Sequence, residues 1–290
     1  RNASASLITR NLVNLLEALF LGLLQGLTEF LPISSSAHLR IFGEFLPSAK
    51  DPGAAFTAIT QIGTELAVLL FFRVEIALII KSWFRFSILR KRDLTFEERS
   101  QNKLGWMIIL GSIPILILGF LFQDSIKTTF RSLTLIGITL ILFGLVLGLS
   151  DYVGDSSKGL KDLKLRETLL FGLGQSMALI PGVSRSGMTI AMGRLMGFNR
   201  SAATKYSFFL AIPAVLGSGF YQLYQTLSDP STEVFTLSQT IAATVIAFAV
   251  GYAVIAWLMK FISKASYLPF VIYRTLLGTT LLIGISLNFI

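Results

Sequence analysis

The sequence contains no cysteine, only one histidine and few charged residues. The lack of cysteine excludes thiolate catalysis, cysteine metal sites and disulfides. Charged residues make up 14% of the 290 residues and hydrophobic ones 53%, with a mean hydropathy of +0.71. Soluble domains carry about 25% charged residues. The sequence therefore predicts an integral membrane protein, with residues 1–290 in one membrane domain.

The net charge of +9 does not indicate nucleic-acid binding. The basic residues concentrate between apolar runs, where the positive-inside rule accounts for them, so no nucleic-acid partner is expected. The first apolar run is interrupted by Glu17 and Gln25 and lacks a small-residue cleavage site after it. We therefore expect no removable signal peptide.

Six segments are apolar enough to cross a bilayer of about 30 Å, which takes about 20 residues each. They are 54–72, 104–122, 133–150, 204–227, 237–259 and 268–289. Two further apolar stretches, 12–46 and 167–198, are interrupted by proline, glycine and serine. Each is interpreted as a hairpin that enters and leaves on the same side. The predicted fold is an all-α polytopic membrane protein with six transmembrane helices and two re-entrant helical hairpins.

The distribution of basic residues predicts the orientation. The segment 73–103 and the loops after 150 and 259 hold eight, four and two basic residues, fourteen together. The opposite side holds six, which are Arg1, Arg10, Arg40, Lys50, Lys127 and Arg131. By the positive-inside rule the first set is cytoplasmic. Both termini and the first hairpin are then expected outside.

A weak internal repeat appears at an offset of 150 residues. The matches are Gly22, Gln25 and Ile33–Ser36 with Gly172, Gln175 and Val183–Ser186. Pseudo-repeats of roughly 12–150 and 167–290 would each hold one hairpin and three spans. Because three is odd, the second copy would be inverted, and both hairpins could line one cavity near the bilayer interior. The simpler alternative is that any two hairpins rich in glycine and serine look alike.

The first polar motif, Q-G-L-T-E-F-L-P-I-S-S-S-A-H, runs from Gln25 to His38. Gln25 and Glu29 stand four residues apart, which places them on one helix face. Pro32 removes a backbone donor and interrupts the helix. The motif then offers free backbone amides, the hydroxyls of Ser34, Ser35 and Ser36, and the only histidine. Polar groups in an apolar run of this kind indicate a site.

The second motif, P-G-V-S-R-S-G-M-T, runs from Pro181 to Thr189. Its centre is Arg185, whose planar guanidinium matches two oxygens of a phosphate. Hydroxyls from Ser184, Ser186 and Thr189 surround it, and amides at a following helix start would add to an anion site. The alternative is an arginine that only ties the two hairpins together through backbone carbonyls.

Together the two motifs resemble the undecaprenyl-diphosphate phosphatase family, the bacterial bacitracin-resistance proteins. The likeness extends over nearly the whole chain and includes L-P-F-V-I-Y-R at 268–274. It implies hydrolysis of a C55 isoprenoid diphosphate to the monophosphate and inorganic phosphate at the outer face of the bacterial inner membrane. That reaction recycles the lipid carrier of peptidoglycan synthesis. The expected partners are this polyprenyl diphosphate and membrane lipids, and a homodimer is left open.

The resemblance also assigns roles to residues of the motifs. It places the acidic motif on Gln25 and Glu29, the serine and histidine on Ser35 and His38, and the phosphate-binding arginine on Arg185. The side chain of Gln25 and the hydroxyls of Ser34, Ser36, Ser184, Ser186 and Thr189 are expected to bind substrate. The family implies a divalent cation, Mg²⁺ or Ca²⁺, with Glu29 as the main ligand and the side-chain carbonyl of Gln25 as a weaker one. Many members have glutamate where this chain has Gln25, so a scheme with two carboxylates in this motif does not apply unchanged.

The nucleophile stays open between Ser35 and a water positioned by Glu29 and His38. His38 is the expected acid or base, because the unperturbed pKa of histidine, about 6.5, allows both roles. As the only histidine, it excludes phosphatase mechanisms that need two imidazoles. Glu65, in the first full span, either lines the same cavity or pairs with Arg194 or Lys205.

One alternative function comes from a different class. Broken hairpins in inverted repeats also occur in secondary transporters, so a transporter or flippase for a phosphate-bearing solute or lipid is the competing hypothesis. Such a protein needs an anion site but no acid or base beside the phosphorus.

Overall fold

The computed structural model describes residues 2–48, 51–91, 93, 95–122, 132–229 and 234–289. This part of the chain contains eleven α-helices and no β-strand, with one isolated bridge between Lys158 and Phe198. The helices are α1 Asn2–Thr28, α2 Ser35–Gly43, α3 Gly53–Phe71, α4 Arg73–Trp83, α5 Phe96–Leu121, α6 Leu133–Val153, α7 Leu165–Ser176, α8 Arg185–Leu195, α9 Arg200–Ser228, α10 Leu237–Ile262 and α11 Leu268–Ser286. The predicted all-α fold is confirmed for these residues.

Within the described ranges, seven helices are long and apolar enough to cross a membrane. Six of them are the predicted spans, with ends that differ by a few residues. The seventh is Asn11–Thr28 in α1, which the sequence analysis assigned to the first hairpin. Glu17 does not interrupt it, because its side chain is buried and Oε2 accepts a hydrogen bond of 3.2 Å from the amide of Ser48. By this criterion of length and apolar composition, the predicted number of membrane-spanning helices, six, is one too few.

The segment 73–103 is not the continuous loop that its charges suggested. It contains α4, whose 11 residues are too few to span a bilayer. It also contains the start of α5, where Thr95 and Glu98 form a reciprocal capping box. Five basic residues used for the orientation lie outside the described residues: Arg1, Lys50, Arg92, Lys127 and Arg131.

Helix α10 packs against both α1 and α3, and α11 packs against α6. Glycine allows the closest approaches. A Cβ on Gly63 of α3 would lie 2.2 Å from the carbonyl oxygen of Thr244, and one on Gly22 of α1 would lie 2.4 Å from that of Ala243. Small residues commonly bring membrane helices together in this way.

Two breaks separate α1 from α2 and α7 from α8, and they share one local geometry. Each ends on a serine in the left-handed region, Ser34 with φ 74° and Ser184 with φ 71°. The hydroxyl of each serine caps the following helix, accepting from the amide of Ala37 or of Gly187. A positive φ is uncommon for serine. The two breaks thus repeat an unusual conformation at the predicted offset of 150 residues.

Arg274 of α11 holds the two breaks together. Its guanidinium is fully buried and donates to the carbonyls of Pro32 at 3.1 Å, Gly182 at 2.8 Å and Val183 at 3.0 Å. Its Nε donates to the carbonyl of Leu140 in α6 at 3.3 Å. A buried guanidinium needs such acceptors, so the role of tying the breaks together, considered for Arg185, belongs to Arg274.

Candidate functional site

Glu29 is the centre of the polar residues at the first break. It follows the last residue of α1, and its amide still donates to the carbonyl of Gln25 at 3.0 Å. The carboxylate oxygen Oε2 accepts from Gln25 Nε2 at 2.7 Å and from Ser35 Oγ at 2.5 Å. Gln61 Nε2 of α3 approaches the same oxygen at 3.4 Å. The side chain of Glu29 is 3% exposed, so these donors compensate a buried charge.

Arg185 completes this arrangement from the second break, 156 residues later. Its Nη2 donates to Glu29 Oε1 in an ion pair, and its Nη1 lies 4.0 Å from Glu65 Oε2 in α3. We call Gln25, Glu29, Ser35, Gln61, Glu65 and Arg185 the Glu29 cluster. The two separated motifs therefore converge on one carboxylate, as the sequence analysis predicted.

Two helix N-termini start at this cluster. Ser35 is the first residue of α2 and Arg185 is the first residue of α8, and both contact Glu29. The N-terminus of a helix carries partial positive charge and unpaired amides, which favour bound anions. A small cavity of about 10 Å³ adjoins the cluster, and its polar lining is Glu29, Glu65, Arg185, Ser186 and Ser207. In the structure the anion between the two helix starts and the guanidinium is the carboxylate of Glu29.

His38 lies one turn further along α2 and points elsewhere. Its Nδ1 lies 2.7 Å from the carbonyl oxygen of Ser34, and its Nε2 lies 2.7 Å from the hydroxyl of Tyr273. A carbonyl only accepts, so Nδ1 carries the hydrogen and, in the neutral ring, Nε2 accepts from Tyr273. The rings of His38 and Tyr273 are also stacked, 7° from parallel. Among the described residues, His38 makes no hydrogen bond to Glu29, Ser35 or Arg185.

The hydroxyls expected to bind substrate are engaged within the protein. Ser34 and Ser184 cap helices, and each also lies 3.3 Å from the hydroxyl two residues later, that of Ser36 or Ser186. Ser186 Oγ donates to the carbonyl of Leu31 at 3.2 Å. The hydroxyl of Thr189 bonds to the carbonyl of Arg185 and to the hydroxyl of Ser207. These contacts stabilise the breaks, and substrate binding by the same hydroxyls stays a prediction.

Glu65 lines the cavity with Arg185, as one of the two sequence interpretations held. The other is wrong, because Arg194 pairs with Asp151 and Lys205 pairs with Glu75. Three residues of the site were missed or given no role: Gln61, Tyr273 and Arg274. A polar side chain inside an apolar span was the available signal for Gln61 and Arg274, but it does not reveal what each one contacts.

Some oxygens of the cluster are free to receive a cation. Gln25 Oε1 and both carboxylate oxygens of Glu65 are buried without a hydrogen-bond partner among the described residues. No group of three or more histidine, aspartate or glutamate side chains gathers as a metal centre in the described ranges. Mg²⁺ is commonly bound by one or two carboxylates together with substrate phosphates. The carboxylate and carbonyl oxygens present here fit a hard divalent cation of that kind.

An apolar groove of about 760 Å³ lies between α1 and α10. Its walls are mostly leucine, valine and alanine with one tryptophan, namely Leu23, Leu27, Thr28, Leu31, Ile33, Ala249, Val250, Ala253, Val254 and Trp257. Thr28 and Leu31 are close to Glu29 in sequence, but no residue of the Glu29 cluster lines the groove.

Comparison with known proteins identifies the family. The family described as "Bacitracin resistance protein BacA" matches residues 18–280. The chain belongs to this family. It is 57% identical over 267 residues to the undecaprenyl-diphosphatase of Micrococcus luteus, covering 92% of this chain and 95% of that one. It is 52% identical to the undecaprenyl-diphosphatase of Paenarthrobacter aurescens, covering 96% and 99%. The identity to undecaprenyl-diphosphatase 2 of Agrobacterium fabrum is 54%, covering 92% and 94%.

Membership of the bacitracin-resistance family confirms the resemblance drawn from the two motifs. The match includes both motifs, so the residues of the Glu29 cluster all lie within it. Together with the seven apolar helices, it makes this chain a multi-pass membrane protein.

Proposed function

We propose that this protein hydrolyses undecaprenyl diphosphate to undecaprenyl phosphate and inorganic phosphate, and so recycles the lipid carrier of peptidoglycan synthesis. The activity in the names of the relatives supports it. The structural observation that carries it is the convergence of Ser35 and Arg185, each the first residue of a helix, on the carboxylate of Glu29. Diphosphate hydrolysis needs a nucleophile, a base and neutralisation of phosphoryl charge, and this cluster contains all three.

Ser35 is the proposed nucleophile, because its hydroxyl lies 2.5 Å from Glu29 Oε2. Its Oγ bonds to the terminal phosphorus while the bond to the bridging oxygen breaks, and Glu29 takes the hydroxyl proton and passes it to the departing lipid phosphate. Glu29 then takes a proton from water that attacks the phosphoserine, and returns it to Ser35 Oγ as inorganic phosphate leaves. Direct attack by a water held by Glu29 is the second route. It predicts that Ser35→Ala keeps much of the activity.

Arg185 is proposed to bind the terminal phosphate with both arms of its guanidinium, together with amides at the starts of α2 and α8. The family's divalent cation, Mg²⁺ or Ca²⁺, would be held by Glu29 and the carbonyl oxygen of Gln25, and when bound it supplies further charge neutralisation. His38 fixes the turn that presents Ser35, because its ring holds the carbonyl of Ser34. The acid or base role of His38 stays a prediction.

The isoprenoid tail is proposed to lie in the groove between α1 and α10, which is apolar and is lined by Thr28 and Leu31, close to Glu29 in sequence. A lipid could then reach the site sideways from the bilayer. We further propose that the two breaks belong to re-entrant hairpins of an inverted repeat. Two features support this: the φ-positive serines recur at an offset of 150, and α1 packs on α10 as α7 packs on α5. The termini and the site would face outside, in line with the basic residues.

The test is phosphate release from undecaprenyl diphosphate by the purified protein in detergent. We expect release that depends on Mg²⁺ or Ca²⁺ and falls by 100-fold or more in Ser35→Ala and Arg185→Ala. Ser150→Ala is the control. Ser150 is also buried, but among the described residues its hydroxyl bonds only to the carbonyl of Leu147. A folded wild-type protein that releases no phosphate but moves the lipid between leaflets would support the transporter alternative. The names of the relatives do not favour that alternative.

A further inference from the structure

Glu65 is a buried carboxylate that the proposed reaction has not used. It is 1% exposed, and neither of its oxygens has a hydrogen-bond partner among the described residues. Its nearest charged group is Arg185, whose Nη1 lies 4.0 Å away and is also buried without a hydrogen-bond partner. Glu65 and Glu29 line the same cavity from different helices. An ionisable group inside a membrane helix is costly and is usually functional.

The charges around this cavity do not balance for an anionic substrate. Two carboxyl groups share one guanidinium, and a diphosphate adds several negative charges. Attraction by Arg185 alone leaves an excess of negative charge in a medium where such charge is poorly screened. A divalent cation between the carboxylates would remove the excess, and hard cations are coordinated by carboxylate oxygens.

We propose that Glu29 and Glu65 together form the cation site and that Arg185 occupies it as a tethered placeholder when substrate is absent. The guanidinium bridges the two carboxylates in the structure, with Nη2 on Glu29 and Nη1 toward Glu65. When the terminal phosphate binds, Arg185 turns to it and leaves the two carboxylates to the cation. The first motif provides one carboxylate, and α3 provides the second. This inference rests on the proposed function only for the identity of the phosphate.

Occupation of the cation site by Arg185 makes a prediction that a site formed by carboxylates alone does not. Removing Arg185 should strengthen cation binding in the absence of substrate, whereas removing Glu65 should weaken it. The probe is Mn²⁺, which binds the same oxygen ligands as Mg²⁺ and can be followed by the magnetic resonance signal of the free ion. The full-length protein in detergent is titrated without any lipid diphosphate. Arg185→Gln should bind one Mn²⁺ per chain at least tenfold more tightly than wild type.

The same titration on Arg185→Gln combined with Glu65→Gln should lose that gain. The matched control combines Arg185→Gln with Glu17→Gln, because Glu17 is also buried with one unpartnered oxygen but lies twelve residues before Glu29 in α1. It should bind Mn²⁺ as Arg185→Gln does. A second measurement is the thermal unfolding midpoint, which Mn²⁺ should raise more in Arg185→Gln than in wild type, since two carboxylates there have lost their counter-charge.

Either of two results would overturn the proposal. In the first, the Arg185→Gln protein binds Mn²⁺ no more tightly than wild type. In the second, adding Glu65→Gln leaves the Mn²⁺ affinity of the Arg185→Gln protein unchanged. Either can occur while wild type still releases phosphate from undecaprenyl diphosphate. Failure of the cation site is thereby distinguished from failure of the proposed function. Should Arg185→Gln not fold, Glu65→Gln alone must raise the Mg²⁺ concentration for half-maximal phosphate release at least tenfold, and an unchanged value rejects the site.

Discussion

Replacing Glu29 by glutamine tests the centre of the proposed chemistry with the smallest change of shape. In the structure one oxygen of Glu29 accepts from Gln25 and Ser35, and the other pairs with Arg185. An amide keeps only one acceptor oxygen and turns a donor NH₂ toward one of these partners. Because an amide is neutral and is not a base, Ser35 loses the base that takes its proton and Arg185 loses its closest counter-charge.

The magnitude follows from these contacts. General base catalysis contributes about 10² to 10⁴ in rate, and a hydrogen bond to a charged group contributes about 1.5–3 kcal/mol. Because the two losses share one carboxylate and are not additive, we expect Glu29→Gln to lower kcat by about 10³-fold, which corresponds to about 4 kcal/mol of transition-state stabilisation.

The assay is steady-state phosphate release from undecaprenyl diphosphate in detergent, with the thermal midpoint measured in parallel to exclude unfolding. Glu17→Gln makes the same chemical change at a buried carboxylate outside the cluster and should stay within threefold of wild type. A Glu29→Gln protein that folds and keeps kcat within tenfold would refute the assignment of Glu29 as base. In that case the acid or base role would pass to His38.

Three further changes probe the elements that position the cluster. Tyr273→Phe removes the hydroxyl 2.7 Å from His38 Nε2 and should lower kcat about three- to tenfold, for a neutral hydrogen bond of about 0.5–1.5 kcal/mol; unchanged kinetics would show that this bond has no part in the reaction. Arg274→Lys cannot satisfy four buried carbonyls and should lower the free energy of unfolding by at least about 1–3 kcal/mol, seen in thermal melts. Gly63→Ala should cost about 1–3 kcal/mol by overpacking against Thr244, whereas Gly217→Ala, with no atom within 4 Å of its Cβ, should not; equal melts for the two would contradict the close contact of α3 and α10.

The spans and the two breaks were predictable because the bilayer leaves few choices. A backbone in hydrocarbon must satisfy its own hydrogen bonds, so long apolar runs form helices, and proline, glycine and serine clusters mark where they stop. The repeat at an offset of 150 predicted that the two hairpins could line one cavity, but it did not predict the ion pair of Glu29 with Arg185. The candidate span in α1 was assigned to the first hairpin instead, because the stretch 12–46 is interrupted by proline, glycine and serine.

The partners of individual polar side chains were not predictable from the sequence. The sequence shows three polar residues inside apolar helices, Gln61, Glu65 and Arg274. It does not show which neighbour each side chain contacts. Hydropathy also could not separate Arg185 from Arg274. One pairs with carboxylates at the site, and the other binds only backbone carbonyls among the described residues. Which arginine is left to face carboxylates is decided by the three-dimensional packing of α11 against the two breaks.

The two breaks use the same backbone for different chemistry. Ser35 and Arg185 are 150 residues apart, each directly follows a serine in the left-handed region, and each contacts Glu29. The position matching Glu29 in the second break is Leu179, and Gln175, which matches Gln25, has neither amide atom hydrogen-bonded among the described residues. Of these two matching positions, only the one in the first break carries a carboxylate. A second carboxylate at 179 would bring more negative charge to a site that we propose accepts a diphosphate, so the leucine there is consistent with anion binding between the two helix starts.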